Sequence, residues 1–219
     1  MKLTRNTRGS LDDLGRPAPS QEPEQRLLIV CEGELTEPSY FRKFQLLLVD
    51  VEIAGTGLNT VAVVAAAQNF VAQKPAGHYD AVWCVFDRDD FPAAHFDAAI
   101  AQATAAGFGV AYSNQSFEFW LLLHFEDHSG PLHRDDYAAR LNIRLAAHNI
   151  HYPRRKEVKK PLFDLLQSTD PATGQPLWKI AGARAQALDT QWASSTLPPS
   201  QCESVTLVYR LVAVLQQQL

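Results

Sequence analysis

Glu32, Asp87 and Asp89 are the residues of this chain whose types and settings most need a chemical explanation. Glu32 follows the apolar run Leu27 to Cys31. Asp87 closes a second such run that starts at Ala81, and Asp89 stands two positions further on. Glu118 opens the very apolar segment 117–125 (FEFWLLLHF). Carboxylates brought together repel one another and lose hydration, and a shared cation offsets both costs. Hard oxygen donors favour Mg²⁺ or Mn²⁺. A single acid after a strand is explained well enough as a helix cap or a partner of the helix dipole, and that suffices for Glu34 or Asp90. Capping does not call for an Asp-x-Asp pair on an apolar strand together with a third acid, so the expectation is a divalent metal held by Glu32, Asp87 and Asp89.

These acids can meet only if the segments that carry them are strands of one sheet. Leu27 to Cys31 is a continuous apolar run of strand length, as expected of a parallel strand covered on both faces. Thr36 is placed to cap a helix with Pro38 in its early turn, and Tyr40, Phe41, Phe44, Leu47 and Leu48 recur at helical spacing. A second strand is expected over Val51 to Gly55 and an Ala/Val-rich helix over Thr60 to Gln73, ended before Lys74-Pro75. Ala81 to Asp87 is the third strand, Pro92 to Ala106 a helix, Gly109 to Ser113 the fourth strand, and 117–125 its helix. Four strand-then-helix units with short turns call for an α/β fold with a parallel sheet of about four strands and right-handed crossovers. Ligands in such sheets sit outside the carboxyl ends of the strands, which is where every acid cluster falls. Further helices are expected over Asp135 to Asn149, Pro161 to Gln167, Trp178 to Trp192 and Glu203 to Gln218. The organisation expected is an arm over 1–24, an α/β core over 25–130 and a mainly helical extension over 131–219 packed on that core.

The length of 219 residues and the 46% hydrophobic content exclude a disordered chain and suit one domain with appendages. The basic start has no apolar stretch behind it, and Gln68 and Asn69 interrupt the longest Ala/Val run short of a membrane span. Cys31, Cys84 and Cys202 make no paired pattern, which suits a reducing cytoplasm and argues against a zinc ribbon. A net charge of −4 does not mark a nucleic-acid binder, so any such contact must come from a local basic patch or a bridging metal.

The phrases LLIVCEGELTEPSYF, VFDRDD and SNQSFEFWLLLHF, with LPPSQCESVTLVYRLV near the end, resemble the RloB-like family. That resemblance runs from about Leu27 nearly to the C-terminus and thins over Arg134 to Gln201. It implies a Toprim-like Rossmannoid fold and a place in restriction and abortive-infection loci, with an RloA-like AAA/ABC-type ATPase as partner. It implies Glu32 as the glutamate after the first strand and Asp87 with Asp89 as the Asp-x-Asp pair. Related Toprim nucleases add a second glutamate, a later glutamate and a lysine. Glu37 and Glu118 match the acids. Lys156, Lys159 and Lys160 compete for the lysine, with Lys156 preferred.

The activity implied is Mg²⁺- or Mn²⁺-dependent hydrolysis of phosphodiester bonds in DNA or RNA. Asp87 and Asp89 would be principal ligands, Glu32 a ligand or general base, and Arg154, Arg155, Lys159 and Lys160 phosphate contacts, or equally a solvated charged loop. Two other readings compete. One is a metal- or nucleotide-binding subunit that partners an ATPase without cutting; the other is a different metal-dependent phosphotransfer enzyme on the same scaffold. His124 and His128, four apart, could share a helix face toward Zn²⁺, but a missing glutamate and the stop at Gly130-Pro131 favour surface and core histidines. The aromatic-rich segment 117–125 reads as a buried helix rather than a base-stacking platform. VFDRDD also resembles a haloacid-dehalogenase motif, which belongs on a first strand and here would end the third. Homo-oligomerisation is left open by the residues.

Overall fold

The two apolar runs become the two central strands of one sheet. In the computed structural model, which describes residues 25–54, 60–89, 92–130 and 132–219, β1 (Leu27–Cys31) lies between β2 (Val49–Ile53) and β3 (Ala81–Asp87). β4 (Gly109–Asn114) and β5 (Val205–Thr206) follow, giving the order β2-β1-β3-β4-β5. The first four strands are parallel and β5 is antiparallel to β4. The expected arm over 1–24, Asp90 and the Gly55 end of the second strand lie outside the described residues.

Strand order reverses between β1 and β3, because the chain runs outward from β1 to β2 and then crosses back over β1. A crevice opens at such a switch point, beyond the carboxyl ends of the two strands. Cys31 is registered with Val85, and the Glu32 N–H continues the ladder to the Val85 carbonyl at 2.9 Å. Glu32 and Asp87 therefore leave the sheet side by side.

Alternation along the strands feeds two cores. Leu28, Val30, Cys84 and Phe86 pack with α2 (Thr60–Ala72) and α3 (Ala93–Ala105) on one face. Leu27, Ile29, Cys31 and Val85 face the other way, toward α1 (Thr36–Phe41) and α4 (Phe117–Leu123). The same core takes in α5 (Arg134–Leu145), α6 (Lys160–Gln167), α7 (Leu177–Trp192) and α8 (Val208–Gln216). All seven residues of α4 are buried, because it lies between the sheet and this outer helical layer. Such enclosure is why that helix is apolar all round. Gly109 is needed in β4, since a Cβ there would come within 2.5 Å of the Trp83 ring on the neighbouring strand.

Several boundaries differ from those expected. The first helix stops at Phe41 and continues only as a single tight turn to Phe44. Gln45 then takes a left-handed conformation, so Leu47 is almost fully exposed and Val49 already belongs to β2. Thr36 is the first helical residue rather than the cap, and its side chain makes no capping bond. The helix expected to start at Glu203 starts at Val208, because Val205 and Thr206 extend the sheet as a fifth strand. Thr206 is fully buried and its hydroxyl meets that of Ser113 at 3.0 Å, which explains a polar residue at a sheet edge. The chain beyond residue 131 thus supplies part of the sheet as well as the outer helices.

The exit of α4 is anchored to that outer layer by charge. Glu126 is 7% exposed and is ion-paired with both Arg140 and Arg144 of α5. Arg184 of α7 donates to the Leu123 carbonyl at 2.8 Å and meets Asp127 at 2.9 Å. Both arginines of α5 remain half-exposed and can rehydrate, so Glu126→Gln should cost about 1–3 kcal/mol in denaturant melts within a single transition. A variant as stable as the parent would show that these ion pairs add nothing to the attachment.

Candidate active site

At the switch point each acid is positioned by a different element. Glu32 extends β1, and its Oε2 accepts the backbone N–H of Asp87 at 3.3 Å. Asp87 ends β3, and its Oδ2 accepts the Phe117 N–H at 3.0 Å, so it caps α4 from across the crevice rather than its own next helix, α3. These bonds use one oxygen of each carboxylate. The other two, Glu32 Oε1 and Asp87 Oδ1, are shielded from solvent and have no hydrogen-bond partner among the described residues. Thr60 Oγ1 lies near Glu32 and favours its charged form without a full hydrogen bond.

Asp89 follows in a left-handed conformation at φ 39°, which aspartate tolerates better than most side chains. Its N–H is tied to the Gln115 carbonyl at 3.2 Å, and its carboxylate meets Arg134 Nη1 at 2.6 Å. Glu37, on α1, is buried directly over the turn after β1. A Cβ on Gly33 would lie 2.4 Å from Glu37 Oε2, so the carboxylate occupies space that only glycine leaves open. Glu118, in the first turn of α4, is also buried, with its Oε1 2.9 Å from the Tyr152 hydroxyl and 3.5 Å from Lys156 Nζ.

The loop that brings Tyr152 and Lys156 in is held at both ends. Asn142 of α5 bonds the Tyr152 backbone twice, accepting its N–H at 2.7 Å and donating to its carbonyl at 3.2 Å. Val158 N–H donates to Ser39 Oγ of α1 at 2.8 Å. Between these ties a turn closes from the Lys156 N–H to the Pro153 carbonyl at 2.8 Å, with Lys156 at φ 60°.

The electrostatics follow from burial and crowding. Burial is the largest cause pushing Glu32 up to about 7, with Asp89 and Glu37 adding to it against the Asp87 N–H. Glu37 also rises to about 7, through burial first and then Glu118 and Asp89. Asp87 is held well above the usual carboxylate range by burial, then by Glu37, Asp89 and Glu118, while the Phe117 N–H opposes. Glu32, Glu37 and Asp87 are thus held toward their uncharged forms by burial and by the neighbouring carboxylates, and an added cation is the simplest relief.

The donors suit a hard divalent ion in kind, and the two orphaned oxygens belong to carboxylates on the adjoining strands. No three acidic, histidine or cysteine side chains among the described residues stand close enough as they are to grip one ion. Asp89 is turned to Arg134 and Glu118 to Tyr152 and Lys156, so internal partners occupy two of the expected ligands.

Of the residues expected from sequence, Glu32, Glu37, Asp87, Asp89, Glu118 and Lys156 share this edge. Arg154, Arg155, Lys159 and Lys160 are exposed on and beside the loop, and Lys160 pairs with Asp164 one turn along α6. His124 and His128 do not share a helix face, since α4 ends at Leu123. His124 is buried against Trp120, while His128 sits between the rings of Phe119 and Tyr137. Arg134 and Tyr152 were not singled out from sequence; neither lies in a motif, although Tyr152 stands two residues before the basic run. No helix among the described residues is long and apolar enough to cross a membrane.

Residues 27–215 match a family profile described as RloB-like protein. No curated protein and no solved structure matches the chain significantly.

The raised Glu37 carboxyl has a measurable consequence. Folded protein keeps that proton up to about pH 7, whereas the unfolded chain releases it near the ordinary glutamate value of 4.5, so its contribution to stability falls as pH rises between them. In chelator-treated protein, Glu37→Gln should therefore gain stability over the parent progressively from about pH 4.5 to about pH 7, with a plateau above. A difference in melting temperature that is constant across this range would show that the carboxyl titrates normally.

Proposed function

The chain belongs to the RloB-like family, and from that premise we propose that it is a Toprim-type nuclease, hydrolysing phosphodiester bonds in nucleic acid with Mg²⁺ or Mn²⁺. The observation that carries this reading is the meeting of Glu32 and Asp87 across the β1/β3 switch point, each with a buried oxygen unpartnered among the described residues. Glu32, Asp87 and Asp89 would hold the ion, with Glu37 and Glu118 behind them. When bound, a divalent ion supplies charge neutralisation at the phosphate and lowers the pKa of water.

The remaining work falls to side chains of the protein. Glu32 would be either a ligand of the ion or, if its oxygen is left free, the group that takes the proton from the attacking water. The water oxygen bonds to phosphorus as the bond to the leaving ribose or deoxyribose oxygen breaks, and that oxygen ends protonated. Lys156, 3.5 Å from Glu118 and held by its turn, is placed to answer phosphate charge at the same edge. Arg154, Arg155 and Lys159 extend positive charge outward along the loop, where a nucleic-acid backbone would track. An abortive-infection role, in the cytoplasm and beside an RloA-like ATPase, is part of the same proposal and rests on the family alone.

The internal pairing of Asp89 and Glu118 favours one second reading, a metal- or nucleotide-binding subunit that partners an ATPase without cutting. Purified protein incubated with plasmid, single-stranded DNA and tRNA, with Mg²⁺ or Mn²⁺, separates the two. The nuclease reading expects cleavage that falls at least about a hundredfold in Asp87→Asn and Glu32→Gln. Asn retains a carbonyl oxygen to cap α4, so Asp87→Asn should stay folded. Mn²⁺ should raise the melting temperature of the parent and not of that variant. Cleavage that survives both substitutions would overturn the metal assignment, and Mn²⁺ stabilisation without cleavage of any substrate would favour the subunit.

A further inference from the structure

Alternation along β1 puts Glu32 in the series of Leu28 and Val30, whose side chains pack with α2. The group that meets Glu32 on that side is Thr60, the first residue of α2. The topology accounts for the meeting. β2 runs parallel to β1, and the Ala54 N–H bonds the Cys31 carbonyl at 2.9 Å, so the chain leaves β2 level with Glu32. α2 then returns along the sheet, with Val63, Val64 and Ala67 in the same core as Leu28, Val30 and Cys84. Its head therefore stands at the carboxyl ends of the strands.

Thr60 is fully buried, and its hydroxyl lies close enough to Glu32 to favour the charged carboxylate. Yet Thr60 Oγ1 has no hydrogen-bond partner among the described residues, and neither has Glu32 Oε1. Other threonines of this chain settle their hydroxyls internally. Thr104 and Thr190 donate to the carbonyl one turn back, at 2.8 Å to Ile100 and 2.7 Å to Gln186, and Thr206 pairs with Ser113. The first residue of a helix has no helical carbonyl behind it to use. A buried hydroxyl without a partner is costly, and a valine of the same shape would avoid that cost. Two such oxygens side by side call for a partner from outside the chain.

We propose that Thr60 Oγ1 is a further ligand of the divalent cation, a neutral oxygen donor beside Glu32 on the α2 side of the acidic edge. The inference rests on the metal reading of that edge and goes beyond it, since Thr60 belongs to none of the acidic motifs. Hydroxyl oxygens are hard donors that suit Mg²⁺ or Mn²⁺. A neutral donor adds coordination without another negative charge where carboxylates already crowd. A phosphate oxygen is the poorer occupant, because it would stand against the Glu32 carboxylate.

The test titrates Mn²⁺ by calorimetry into the metal-stripped full chain and into Thr60→Val, Thr60→Ser, Thr60→Cys and Asp87→Asn. Thr60→Val should weaken Mn²⁺ binding about tenfold, and Thr60→Ser should restore it to near the parent value. In chelator the valine variant should melt at or above the parent temperature, because removing an unpartnered hydroxyl breaks no bond. Thr60→Cys should bind Cd²⁺ more tightly than the parent does, since sulfur is a soft ligand. A valine variant that binds Mn²⁺ as the parent does, or that melts well below it in chelator, would overturn the assignment of Thr60. So would an unchanged Cd²⁺ affinity in Thr60→Cys. In each of these cases loss of Mn²⁺ binding in Asp87→Asn would leave the acids as ligands, whereas absence of Mn²⁺ binding by the parent would remove the metal reading and this inference together.

Discussion

The candidate active site follows from one electrostatic constraint: carboxylates from β1, α1, β3 and α4 are gathered at a single edge of the sheet, largely out of water. Glu37 and Glu118 are buried, and Glu32 and Asp87 each present a shielded oxygen with no hydrogen bond among the described residues. A fold tolerates such an arrangement only by shifting pKa values, by recruiting cations or both. Both happen here. Three of the carboxyls are pushed upward, while Arg134 and Lys156 are drawn in from the C-terminal part of the chain to meet Asp89 and Glu118.

The outer helical layer is therefore more than a cover for the core. α5 holds the Tyr152 backbone through Asn142, α1 holds the same loop through Ser39, and the loop delivers Lys156 to the crevice. Ordering of this layer and the electrostatics of the edge are physically coupled: loosening the loop would strip Glu118 of both its hydroxyl and its ammonium partner. Under the proposed function the cations that balance the acids in this structure are also the ones available to a phosphate.

The parts that sequence made legible are those set by continuous burial. β1 and β3 are apolar without interruption because both their faces are covered, and an acid immediately after such a run can only emerge at the strand's carboxyl end. That made the neighbourhood of Glu32, Asp87 and Asp89 readable, and the family resemblance pointed to Glu37 and Glu118. β5 was not readable, because two residues of strand carry no periodicity and Thr206 owes its place to a hydroxyl pair with Ser113. Arg134 and Tyr152 were missed for a similar reason. Their roles come from tertiary contacts to Asp89 and Glu118, and an arginine opening a helix or a tyrosine before a proline has no local signature of such a partner. The exit of the first helix was misjudged because Gln45 turns left-handed and throws Leu47 into solvent, against its apolar character.

The central claim is that this edge binds a divalent cation through Glu32, Asp87 and Asp89. Crystals grown in chelator and soaked in Mn²⁺ test it by anomalous scattering at the manganese edge. The account predicts an anomalous peak between Glu32 and Asp87, with the Asp89 carboxylate turned from Arg134 toward it. A strong peak elsewhere on the molecule, or none at saturating Mn²⁺ with Asp89 still paired to Arg134, would contradict it.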